Sequence, residues 1–129
     1  MNKPRVIVFG AGGHAKVVLD VLEQMGVYQI VGLVDDSVEL KGTVRGGYSV
    51  LGNRDDLAEM SGAGIEGVIV ALGDNYRRKL VCEEVERMGF RLISAIHPSA
   101  VIGSRVKIGA GTLVVAGVVV NVDAEIGAN

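Results

Sequence analysis

One cysteine, two prolines and no tryptophan occur among the 129 residues, and tyrosine and phenylalanine contribute only 3 and 2. The single thiol, Cys82, cannot form a disulfide within the chain, so the sequence suits a reducing compartment and a cytoplasmic location is expected. Scarce proline without a Gly-X-Y triplet excludes a collagen-like chain. Positive charge is not in excess: 13 Lys plus Arg against 15 Asp plus Glu leave a net charge of -2. No basic field therefore exists to hold a nucleic-acid backbone or an anionic membrane, and neither is expected as a partner. Long apolar runs are also missing. The run at residues 6–9 is far shorter than the ~20 residues of a membrane helix and shorter than a signal-peptide core.

What is abundant is glycine, 19 residues, roughly double the usual ~7%. With 49% hydrophobic residues and a low net charge, the chain is a folded one. The glycines must therefore serve turns, loops or a repeat.

Residues 6–9 (VIVF) read as a buried strand that runs at once into Gly10-Ala11-Gly12-Gly13. Val18, Val21, Leu22 and Met25 then recur at helical spacing, and Gly26 stands where the helix stops. A second strand at residues 30–34 ends in Asp35-Asp36, completing a βαβ unit whose strands should be parallel and whose crossover should be right-handed. Residues 37–52 read as a loop with one irregular strand at 48–51. Asn53 is placed to cap a short helix over 54–60, with Asp55 and Asp56 in its first turn. A third strand at 67–72 leads into Gly73-Asp74-Asn75. A helix at 76–88 burying Val81, Val85 and Met88 stops at Gly89, and a fourth strand lies at 90–93. This alternation is that of a small Rossmann-like, doubly wound α/β domain with a parallel sheet, expected over residues 1–95.

From residue 96 the period changes. Ile96, Ile102, Ile108, Val114, Val120 and Ile126 are spaced by six, and small or β-branched residues (Ala100, Val106, Thr112, Val118, Ala124) lie two before each later member. Residues two apart in a strand share a face, so each pair should point inward. Gly103, Gly109 and Gly127 follow the aliphatic, where a turn with unusual backbone angles is expected. The beat is that of a solenoid of short parallel strands, with residues 96–129 forming an incomplete hexapeptide-repeat region.

Several residues carry chemistry. Gly10, Gly12 and Gly13 let backbone N–H groups approach a phosphate at a helix N-terminus. His14 enters the helix from that loop, either to reach a substrate or to face water. Lys16 is expected to be solvated. Asp35 and Asp36 can accept hydrogen bonds from a ribose or base edge. Gly73, Asp74 and Asn75 border the same crevice, although an Asn there also suits a helix cap. Arg78 can reach a phosphate, or Arg77 and Arg78 decorate the helix surface. Cys82 reads as a small core residue and not a nucleophile.

This succession, from the glycine loop through Asp35-Asp36 and Gly73-Asp74-Asn75 to His97-Pro98-Ser99-Ala100 opening the hexads, resembles one bacterial family. It is similar to the sugar acyltransferases of the sialic-acid O-acyltransferase type and the related nucleotide-amino-sugar N-acetyltransferases. The resemblance implies that the Rossmann-like part binds a UDP-linked amino sugar or a sialic-acid-type sugar. It also implies a left-handed parallel β-helix with three hexads to a coil, a homotrimer, and acetyl-CoA as co-substrate bound between neighbouring β-helices, largely outside this chain, with no metal. Substrate-binding roles then fall to Gly10, Gly12, Gly13, His14, Asp35, Asp36, Gly73, Asp74, Asn75 and Arg78. The family's general base is a histidine on a later coil. The only histidines here, His14 and His97, match the glycine loop and the first hexad, so no catalytic residue is expected in these 129 residues, and no acetyl transfer by them alone. The glycine fingerprint followed by an acid leaves two other readings, an NAD(P)-dependent oxidoreductase and a non-catalytic nucleotide-binding module.

Overall fold

The first apolar run forms strand β1 (Arg5–Phe9), whose successive side chains face two different interiors. The structure, a computed structural model, describes residues 2–128. Val6 and Val8 pack with α1 (Gly13–Met25) through Ala15, Val18, Leu19 and Leu22. Ile7 and Phe9 instead join Leu57 of α2 (Arg54–Glu59) and Val81, Cys82 and Val85 of α3 (Asn75–Arg87). Alternate residues point to opposite faces, so burial on both faces demands an unbroken apolar run.

The six-stranded sheet has the order β3 (Val44–Arg45), β4 (Tyr48–Gly52), β2 (Gln29–Val34), β1, β5 (Gly67–Val70), β6 (Arg91–Leu92). Every pairing is parallel except β3 with β4. The chain moves outward from β1 through β2 and β4, then crosses to the other side at β5. The order therefore reverses beside β1, which is where open α/β sheets leave a crevice at their carboxyl edge. The irregular strand expected at 48–51 is β4, and the fourth strand shrinks to the two residues of β6. The third strand ends at Val70, so Ala71 and Leu72 leave the sheet.

Local chemistry sets the helix ends. Gly26 takes a left-handed φ of 67° and donates its N–H to Leu22 O. Asn53 caps α2 with a full capping box: its side chain accepts from Asp55 N and Asp56 N, and the Asp56 carboxylate accepts from Asn53 N at 2.9 Å. Asn53→Ala should lower stability by about 1 kcal/mol, read as a shift of the denaturation midpoint with an unchanged slope.

Beyond β6 lie six two-residue strands: β7 (Ala95–Ile96), β8 (Val101–Ile102), β9 (Lys107–Ile108), β10 (Leu113–Val114), β11 (Val119–Val120) and β12 (Glu125–Ile126). Each hexad aliphatic is the second residue of its strand. Ala95 lies opposite Leu113, Val101 opposite Val119 and Lys107 opposite Glu125, all in parallel pairs. The chain thus stacks on itself once every three strands. Ala95 is fully buried in the α1 core, with Leu113 packed against it, which seats the stack on the sheet domain.

Two expectations for this region are corrected. The positive-φ positions are Arg105, Gly111, Gly117 and Asp123, three residues after Ile102, Ile108, Val114 and Val120, and not Gly103, Gly109 or Gly127. Gly103 and Gly109 answer to a different constraint. A Cβ on Gly103 would lie 2.5 Å from Val122 N, and one on Gly109 would strike Ala128 N, because the next layer's backbone passes directly over them. The aliphatics are also unequally covered: Val114 and Val120 are buried, whereas Ile102 is 38% exposed.

Candidate functional site

The ends of β1, β2 and β5 meet at a crevice of about 520 Å³ bordered by Gly12, Gly13, His14, Asp35, Asp36, Ser37, Ala71, Leu72, Gly73 and Arg77. Gly10 is buried beneath it, with φ of +121° and its N–H donating to Val34 O at 2.7 Å. A Cβ there would sit 2.5 Å from Ala71 O, so only glycine lets the loop pass between β2 and β5. Gly12 and Gly13 serve another purpose. Neither has an atom within 4 Å of its ideal Cβ position and neither has a positive φ. Their missing side chains leave the start of α1 open. That helix has no side-chain cap and no acid in its first turn, so its free N–H groups and positive dipole end face the crevice unopposed.

Asp35 is committed to the loop. Its Oδ2 accepts from Ala11 N and its Oδ1 from Ser37 N, both at 2.9 Å. These two bonds tie the glycine loop to the end of β2. Asp36 is held as well, by Arg54 Nη2 at 2.7 Å. The Arg54 hydrogen bond, aided by the charges of Arg54 and Arg77, lowers the Asp36 carboxyl below its usual pKa against the opposing effect of burial. Arg54 is itself raised, chiefly by the same bond. Its Nη1 donates to Glu84, and its guanidinium lies 5.7 Å over the Phe9 ring. Sequence reasoning passed over Arg54, because nothing within α2 marks it out.

At the far side, Gly73 borders the crevice and Asp74, not Asn75, caps α3 by accepting from Arg77 N at 2.9 Å. Asn75 is the first helical residue, and its Oδ1 accepts from Arg78 Nη2 at 2.9 Å. The two arginines meet different cavities. Arg77 borders the crevice, whereas Arg78 lines a second cavity of about 350 Å³, with His14 and with Gly111, Thr112 and Ile126 of the stacked region. Arg78 Nε is buried there without a partner. His14 borders both cavities and so marks their junction. Lys16 faces a smaller cavity of about 170 Å³ beside Arg45.

His97 is occupied locally: its Nδ1 accepts from Ser99 N at 3.0 Å. Cys82 is buried, which pushes its thiol up to about 11 and leaves it protonated near neutrality. Among the described residues no group of three or more His, Cys, Asp or Glu side chains is placed to hold a metal ion. No described helix is long and apolar enough to cross a membrane.

Comparison with known proteins places this geometry. The family model described as the PglD N-terminal domain matches residues 5–85. The UDP-N-acetylbacillosamine N-acetyltransferase of Bacillus subtilis (strain 168) is 31% identical over 114 residues, covering 86% of this chain and 51% of that protein. Among solved structures, a mutant of perosamine N-acetyltransferase from Caulobacter crescentus, in complex with CoA and GDP-perosamine, superposes with a TM-score of 0.88 at 36% identity. The match covers 95% of this chain and 57% of that one. The acetyltransferase domain of PglB from Neisseria gonorrhoeae FA1090, in complex with acetyl coenzyme A, gives a TM-score of 0.75 at 29% identity, over 98% of this chain and 66% of that one. The chain thus spans about half the length of the curated relative it matches.

Proposed function

We propose, from the premise that this chain belongs to the PglD N-terminal domain family, that it supplies the nucleotide-sugar-binding part of an acetyl-CoA-dependent sugar N-acetyltransferase. One observation carries the reading: the unopposed N-terminus of α1 opens into a crevice at the switch point of the sheet, walled by Asp36 on one side and Gly73 and Arg77 on the other. A diphosphate lies against the N–H groups of Gly12 and Gly13, and Arg77 adds charge. Asp36 receives a donor of the ribose or base. Asp35, Asp74 and Asn75 hold the surrounding loops. The sugar extends past His14 toward Arg78.

In the same reading, residues 1–95 form the binding domain and 96–129 begin a left-handed parallel β-helix of hexads, supported by the three-strand repeat of the stacked region. Val101 and Val119, 59% and 64% exposed on adjoining strands, offer an apolar face for a homotrimer. Acetyl-CoA binds between neighbouring β-helices, and the general base comes from a later coil. The location is cytoplasmic.

Calorimetric titration with UDP, GDP and NADH tests the assignment. Binding of one nucleoside diphosphate with NADH silent is the expected result, and UDP against GDP then identifies the donor nucleotide. NADH binding with both diphosphates silent would overturn it in favour of an oxidoreductase.

A further inference from the structure

Arg54, the first residue of α2, gathers three elements that are far apart in sequence. Its Nη2 and Nε donate to the two oxygens of Asp36 at 2.7 and 3.4 Å, its Nη1 donates to Glu84 of α3, and its guanidinium covers Phe9 at the end of β1. The helix that carries it is anchored by fully buried Leu57 and by the Asn53 capping box. The fork therefore projects from a fixed point. All three charged side chains are about one-third exposed, and ion pairs at such exposure add little to stability. What the fork does supply is orientation, because a planar guanidinium engaging both carboxylate oxygens restricts rotation of the acid.

We propose that Arg54 is a positioning residue that fixes the Asp36 carboxylate at the rim of the crevice, in the orientation that receives the nucleotide's ribose or base donor. This rests on the nucleotide-sugar reading above. Removing the guanidinium frees Asp36 to rotate. It also removes the main influence holding its pKa down, leaving the charge of Arg77 from α3, the neighbouring Asp35, and burial, which acts in the opposite direction.

The test is a cycle of Arg54→Met, Asp36→Asn and the double variant, with Arg54→Lys as the conservative replacement. Met keeps an apolar stem over Phe9, and thermal melts check that each variant folds. UDP and GDP affinities are measured by calorimetry, and the Asp36 carboxyl is titrated by carbon-13 NMR. Arg54→Met should weaken diphosphate binding about tenfold, a coupling ordinary for side chains in direct contact. Arg54→Lys should recover part of the loss, and the Asp36 midpoint should rise in Arg54→Met. In the Asp36→Asn background, Arg54→Met should cause no further loss. An equal tenfold loss in that background would mean that Arg54 touches the ligand itself, and would overturn the proposal, as would an unmoved Asp36 midpoint. Failure of the unaltered chain to bind either diphosphate would overturn the nucleotide-sugar reading and this role with it.

Discussion

Gly10→Ala is expected to lower the thermal midpoint by about 10–15 °C, a loss of about 3–5 kcal/mol. Two penalties combine. The φ of +121° lies where an L side chain is strained, at about 1–3 kcal/mol. The added Cβ would also lie 2.5 Å from Ala71 O and 3.1 Å from Ala71 C. Those are backbone atoms that cannot rotate away, and Ala71 N already donates to Phe9 O at 2.7 Å. Relief requires β1 and the chain leaving β5 to separate, which opens the two cores that meet on β1. Against a typical total of about 5–15 kcal/mol, this is a large share. A circular-dichroism melt within about 2 °C of the unaltered chain would show that the loop yields easily and that Gly10 is dispensable.

Gly12→Asp should have the opposite profile. The site has open space and an ordinary φ of -88° at the N-cap of α1, where aspartate is a preferred residue. Stability should stay level or rise by a few tenths of a kcal/mol. Nucleotide diphosphate affinity should fall by at least about 100-fold, or ~2.7 kcal/mol. The new carboxylate would occupy the N–H groups proposed to hold phosphate, and would set negative charge against negative charge. Calorimetry beside a melting curve separates the outcomes. Undiminished binding would place the diphosphate away from this helix start.

The contrast between these glycines shows what could be read in advance. The strand, glycine loop, helix and second strand were legible because each announces itself within a short window: a continuous apolar run, a 3.6-residue period, or Gly26 at a helix end. Asn53 was legible for the same reason, since a capping box closes within four residues. The glycine loop was likewise recognisable as a tight strand-to-helix connection. Its division of labour was not, because the bar to a side chain at Gly10 comes from Ala71, far along the chain. Asp35 and Asp36 stood out in the sequence at the end of a strand, but their partners Ala11 and Arg54 come from other elements. Arg77 and Arg78 meet different cavities because one residue along a helix turns a side chain by about 100°, and which direction faces the crevice depends on how α3 is seated.

The stacked region divides in the same way. By itself the sequence determined where its six short strands fall, because a six-residue beat of aliphatics is a local pattern. It also determined the order of the α/β elements and the positions of two helix caps. Tertiary structure alone decided that the left-handed positions are Arg105, Gly111, Gly117 and Asp123, and that Gly103 and Gly109 are small because another layer lies on them. It likewise decided that one guanidinium joins Asp36, Glu84 and Phe9. Periodicity reports which face of an element is apolar, but contact between residues distant in sequence depends on how those faces are brought together.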